Sequence, residues 1–174
     1  MASRTGRRAR ILVAYYSYTG NTKRIAQALA ERLRNFCDVE IVEIVPTRRR
    51  WYLHWLAYSF VPDSEVDIEN PEMDLSHYNV VLVGFPKWTF SCPPLNKLIR
   101  KLRSLNKPKF YLFMTCGGFD DQRFLDGLTH KFVSMGCNIV GSLTIKRKQI
   151  QRETYCKPVD SYVERIQEEI GADL

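Results

Sequence analysis

Short apolar runs rich in β-branched and aromatic residues alternate along this chain with stretches whose apolar residues recur every three or four positions. Ile11 to Ser17 reads ILVAYYS, the pattern of a strand covered on both faces. Ile25, Ala26, Leu29, Leu33 and Phe36 follow at helical spacing within Thr22 to Phe36, and Val39 to Val45 reads as a second strand. Val80 to Phe85 (VVLVGF), Phe110 to Thr115 and Asn138 to Ile145 give three more strands. Between and after them, three helical faces are expected. Leu95, Leu98, Ile99, Leu102 and Leu105 trace the first, behind Pro93-Pro94, which suit a first turn. Phe124, Leu125, Leu128, Phe132 and Met135 trace the second, with Gly136 as its stop, and Val159, Tyr162, Val163, Ile166 and Ile170 trace the third. Strands alternating with helices imply an α/β fold with a parallel, doubly wound sheet and helices on both faces. The connections are expected to be right-handed.

Pro46 to Asn79 breaks this rhythm. A short amphipathic helix is expected near Trp51 to Phe60 and loop for the rest. The aromatics of that helix read as core cover, with a homodimer face or a membrane-surface face as the alternative.

A length of 174 residues suits one domain. The basic excess is +7, but Arg4, Arg7, Arg8 and Arg10 supply four of 26 basic residues; the remaining 22 against 19 acidic leave +3. Residues 1–10 therefore read as a basic disordered tail, and 11–174 as a single domain. No apolar segment after the tail resembles a secretory signal. Trp51 to Pro62, an apolar-looking stretch without Asp, Glu, Lys or Arg, falls short of the roughly 20 residues that span a bilayer. No interleaving of aromatic and basic residues points to nucleic acid. Cys37, Cys92, Cys116, Cys137 and Cys156 are odd in number and widely spaced, which argues against a disulfide framework or a zinc site and fits a reducing cytoplasm. His54, His77 and His130 lack partners at metal-ligand spacing, and no Ser-His-Asp order is apparent.

In an open parallel sheet, ligands bind beyond the carboxyl ends of the strands, where strand order reverses. That rule selects three loops. The first, Ser17-Tyr18-Thr19-Gly20-Asn21-Thr22, crowds hydroxyl and amide groups around a glycine and opens a helix. Helix N–H groups and the dipole there suit a phosphate, and the same residues also suit a plain N-capped turn. Lys23 and Arg24 lie just outside it, and the ATP-type glycine-lysine loop is absent. The second loop runs from Gly84 to Pro94, with Pro86, Lys87, Trp88, Thr89 and Phe90 past the strand end. The third, Thr115-Cys116-Gly117-Gly118-Phe119, sets two glycines where a flat ligand can approach the backbone, although a simple Gly-Gly turn would look the same.

YYSYTGNT resembles the phosphate-binding signature of the flavodoxin family, and the Gly-x-Pro-x-Trp…Pro-Pro and Thr-x-Gly-Gly runs are similar to that family's two ring-flanking loops. The resemblance implies a flavodoxin-like five-stranded sheet of order 2-1-3-4-5 and one non-covalently held FMN. By that resemblance Ser17 to Thr22 would hold the phosphate, Pro86 to Phe90 would line the flavin with Trp88 or Phe90 near the ring, and Thr115 to Phe119 would follow its pyrimidine edge. The implied activity is electron transfer to a redox partner protein or to a small acceptor such as a quinone. FMN-dependent NAD(P)H:quinone or flavin reduction is the alternative, and a flavin-free binding module the second. Flavodoxins that act as pure carriers are typically acidic, whereas this chain is basic. Arg48-Arg49-Arg50 reads as a solvated approach to the short helix, or as a contact for an NADPH phosphate or an acidic partner.

Overall fold

The computed structural model describes residues 8–48, 51–118 and 121–172. Residues 1–7, Arg49, Arg50 and Phe119 lie outside them, with the expectations attached to each.

In chain order the first elements are β1 (Arg10–Tyr15), α1 (Asn21–Leu33), β2 (Asp38–Glu43), α2 (Tyr52–Ser59), β3 (Met73–Asp74) and β4 (Val80–Pro86). Then come α3 (Pro93–Lys101), β5 (Leu102–Arg103), β6 (Lys109–Cys116), α4 (Asp121–Ser134), β7 (Asn138–Lys146), α5 (Arg147–Gln151) and α6 (Cys156–Ala172). The main sheet is parallel, in the order β2-β1-β4-β6-β7. Among its own strands that is the order 2-1-3-4-5 implied by the resemblance, in the doubly wound sheet that the alternation of elements predicts.

The alternation of side chains along each strand builds two cores. Ile11, Val13 and Tyr15 face α1 and α6, together with Tyr111 and Phe113. Leu12, Ala14 and Tyr16 face α3 and α4, together with Phe110, Leu112 and Met114. Gly84 lies on the first face, paired in register with Phe113. A Cβ at Gly84 would fall 2.0 Å from Phe113 Cζ, so the missing side chain makes room for that ring. The first strand starts at Arg10, whose N–H donates to Asn79 Oδ1 at 2.9 Å, and Ala9 beside it is buried.

Three features depart from the sequence reading. α3 stops at Lys101 instead of running through Leu102 and Leu105. Leu102 stays in the core, but Leu102 and Arg103 pair in parallel with Met73 and Asp74. Ser104 then turns with φ 61, and its hydroxyl donates to Asp74 Oδ1 at 2.7 Å. The segment expected as loop therefore contributes a strand. A further helix, α5, follows β7 directly and is buttressed from Gln149, whose Oε1 accepts from the Lys146 N–H at 2.8 Å.

The irregular segment is closed at its base. Pro46 and Ile68 form an antiparallel bridge, Thr47 N–H donates to Asp67 O at 3.0 Å and Glu69 N–H to Val45 O at 2.8 Å. α2 sits inside this stem, with Trp55 buried. None of the helices among the described residues is long and apolar enough to cross a membrane.

Candidate functional site

Parallel pairing brings three strand ends to one rim, because the register sets Tyr15 beside Gly84 and Pro86 beside Thr115. Backbone bonds then tie the emerging loops together: Tyr16 N–H donates to Gly84 O at 2.9 Å, and Lys87 N–H to Thr115 O at 2.8 Å. The hydroxyls of Thr22 and Thr115, both buried, meet at 2.8 Å, joining the start of α1 to the end of β6.

Gly20 ends the first loop with φ 86, a left-handed conformation that suits glycine, and it stands at the N-cap of α1 without a side-chain cap. The first N–H groups of α1 are thus left to face the loop. Ser17 Oγ is buried and has no hydrogen-bond partner among the described residues. A buried hydroxyl left without a partner is costly in a fold and calls for an explanation. Asn21 Nδ2 donates to Thr19 Oγ1 at 3.2 Å, which holds the two side chains on one side of the turn.

The two cations beside the loop are already engaged. Lys23 pairs with Glu43 at 2.9 Å, and Glu43 also accepts from the Tyr15 hydroxyl at 3.1 Å. Burial, then the Glu43 charge, raises the Tyr15 phenol above its ordinary value. Arg24 pairs with Glu153 at 2.6 Å and lies over the Tyr155 ring.

A cleft of about 90 Å3 lies where the loops meet. Tyr18, Thr19 and Asn21 line it from the first loop, Pro86, Lys87 and Trp88 from the second, and Thr115 and Cys116 from the third. Sequence reasoning named all of these. It missed Leu56 of α2 and Arg147 and Ile150 of α5, which complete the wall. Arg147 is exposed and has no ion-pair partner among the described residues. The basic run Lys146-Arg147-Lys148, placed directly after a strand, was the available signal for it.

Trp88 is half-buried in an aromatic cluster, edge-on to Tyr16 at 5.6 Å and Tyr18 at 6.3 Å, and tilted against Trp55 at 5.8 Å. Tyr18 also lines a neighbouring cleft of about 330 Å3, and Ser17 lines that neighbour alone, with Ile44, Pro46 and Trp55. Thr89 and Phe90 are not brought to the three-loop cleft. Thr89 Oγ1 meets Ser59 Oγ at 2.6 Å, and Phe90 N–H donates to Ser59 O at 2.9 Å, so both lean on α2.

Cys116 is buried, and burial followed by the hydrogen bond and charge of Asp121 pushes its thiol up to about 12. Asp121 in turn stands 3.8 Å from Lys87. Cys116 therefore adds no negative charge to the cleft at neutral pH. Gly117 and Gly118 are exposed; a Cβ at Gly117 would meet nothing within 4 Å, and Gly118 has φ 101. The backbone at this edge is open to close approach.

The donor set thus fits a phosphate at the α1 end. The cleft alone, far below the roughly 300–1,000 Å3 of a ligand pocket, does not enclose a multi-ring compound, whereas the open glycine edge beside it leaves such a compound room. Among the described residues, no group of three His, Cys, Asp or Glu could hold a metal ion.

A family model described as Flavodoxin matches residues 10–138. An uncharacterized protein of Archaeoglobus fulgidus is 29% identical over 139 residues, which cover 79% of this chain and 86% of that protein. Among solved structures, a Bacteroides uniformis protein superposes with a TM-score of 0.68 at 21% identity, covering 84% of this chain and 97% of the other. A Lactobacillus acidophilus flavoprotein solved in complex with FMN superposes with a TM-score of 0.62 at 18% identity, covering 83% and 97%. At these identities the two structures speak to the fold.

Proposed function

The chain belongs to the flavodoxin family, and from that premise we propose that it binds one FMN at the three-loop rim and carries electrons between redox partners. The observation that carries this reading is the convergence of all three loops on one cleft, knotted by the Thr22–Thr115 hydroxyl pair at 2.8 Å.

The phosphate would lie against Ser17, Thr19, Asn21 and the first turn of α1. N–H donors and the helix dipole favour a dianion there. Lys23 and Arg24 are held by Glu43 and Glu153, so Arg147 is the cation left to face it. Trp88, fixed by Tyr16, Tyr18 and Trp55, gives the ring a rigid apolar flank. Gly117 and Gly118 let main-chain donors reach its other edge. Bound FMN would supply the chemistry, accepting one or two electrons. The neutral Cys116 thiol and the Lys87–Asp121 pair keep uncompensated negative charge away from a cofactor that gains electrons.

A second reading, an FMN-dependent NAD(P)H:quinone or flavin reductase, is favoured by charge. The chain is basic, and Arg147 and Lys146 stand exposed at the rim, where an anionic nucleotide would be attracted.

Titration of the flavin-free protein with FMN, followed by quenching of flavin fluorescence, should saturate at one FMN per chain. A folded protein that leaves FMN fluorescence unchanged at saturating concentrations refutes the reading. Anaerobic mixing of the loaded protein with NAD(P)H separates the two roles: rapid bleaching with turnover on a quinone marks the reductase, and inertness marks the carrier.

A further inference from the structure

A further cavity, of about 370 Å3, shares Lys87 and Trp88 with the three-loop cleft as a common wall. Its volume falls within the range of small-molecule pockets. Phe60, Trp88, Phe90 and Phe124 give it aromatic sides. Phe60 and Phe90 meet edge-on at 6.0 Å, yet both remain more than half exposed, at 55% and 67%. Large apolar rings held in pairs at a cavity mouth offer apolar faces to a ligand entering it.

The floor is one face of α4, where Arg123, Gly127 and Lys131 recur at helical spacing. Charge there is unbalanced. Lys131 Nζ is satisfied by Asp63 at 2.5 Å and Asn96 Oδ1 at 3.1 Å, and Lys87 stands by Asp121. Arg123 is exposed and has no ion-pair partner among the described residues. Gly127 is the more telling residue. Glycine inside a helix is destabilising, and a Cβ at this position would meet nothing within 4 Å. Neither packing nor backbone conformation requires glycine there; its effect is to keep the cavity floor clear.

We propose that this cavity binds a small, planar, bicyclic aromatic anion, its rings between the phenylalanines and Trp88 and its charge toward Arg123. That such a ligand would lie next to a redox cofactor rests on the FMN reading; its binding does not.

Titration calorimetry on the full chain, with and without FMN, tests this with 2-naphthoate and its uncharged isostere naphthalene-2-carboxamide. Naphthoate is expected to bind at one site per chain, and the carboxamide about fivefold more weakly, the worth of one solvent-facing ion pair. Arg123→Gln should bring naphthoate down to the carboxamide level. Gly127→Leu should raise the melting temperature by about 2–4 °C, as a better helix former, while abolishing naphthoate binding and leaving FMN titration unchanged. The proposal is overturned if naphthoate does not bind, if it binds Gly127→Leu as well as the parent, or if Gly127→Leu loses FMN and naphthoate together, which would make the cavity part of the cofactor site. A protein that takes naphthoate but refuses FMN would refute the flavin reading alone.

Discussion

Replacing Ser17 with alanine should make the unliganded protein more stable and the FMN complex weaker. Ser17 Oγ is buried with no partner among the described residues, and leaving such a group unsatisfied costs about 1–3 kcal/mol. Ser17→Ala removes the group and leaves a methyl that needs no partner. In a chain of 174 residues each kcal/mol moves the melting temperature by about 2–4 °C, so even the low end of the gain is measurable. If the hydroxyl donates to a phosphate, its loss removes a hydrogen bond to a charged acceptor, about 1.5–3 kcal/mol or roughly 10- to 150-fold in Kd. Stabilisation by ligand follows the ratio of ligand concentration to Kd. The margin by which the variant melts above the parent without FMN should therefore narrow as FMN is added, and the order reverses at saturation where the lost bond outweighs the relieved penalty. Circular-dichroism melts across an FMN series read this directly. The reasoning is refuted if the variant melts below the parent without FMN, or if the two curves keep a constant separation.

Thr22→Val alone should cost about 1–3 kcal/mol by stranding the Thr115 hydroxyl, while Thr22→Val with Thr115→Val should recover most of that loss; denaturant titration of the four proteins gives the coupling, and strict additivity would count against the pair. Gly84→Ala should destabilise by about 1–3 kcal/mol because its methyl overlaps the Phe113 ring, and Phe113→Leu in the same chain should lessen the damage; an undisturbed melt of the single variant would contradict the overlap. Hydrogen bonds from the Ser76 backbone and from the Ser104 and Ser76 hydroxyls lower the Asp74 carboxyl from 3.8 to about 2. A depressed carboxylate stabilises the fold above its unfolded value and loses that contribution as pH falls through the folded one. The melting difference between parent and Asp74→Asn should hence be full above about pH 4 and close toward pH 2; a difference that persists unchanged in acid would refute the assignment.

The strands and α1 were legible because both cores repeat a simple period over many residues, Ile25 to Leu33 on the helix and Ile11 to Tyr16 on the strand. The loops were legible because parallel strands end together at one rim. What joins them was not: Thr22 and Thr115 stand 93 positions apart, and nothing local in either marks a partner. α5 spans five residues, too few for a period to appear, and so Arg147 went unnoticed. The end of α3 misled for the opposite reason. Leu102 and Leu105 continue the helical spacing, and only the pairing with Met73–Asp74 and the turn at Ser104 draw the chain out of the helix. The family resemblance left Trp88 or Phe90 near the ring; the bond from the Phe90 N–H to Ser59 O, which leans Phe90 on α2, has no local mark in the sequence.

The antiparallel clasp at Pro46 and Ile68 has an evolutionary and practical corollary. The chain departs from and returns to nearly the same point, so the cassette between can be traded for another without re-threading the sheet. Such a trade would not be silent. Trp55 leans on Trp88, and Ser59 anchors Thr89 and Phe90, so each replacement cassette would reset the posture of that loop. Descendants of one scaffold can in this way diversify what they recognise while the strands beneath stay the same.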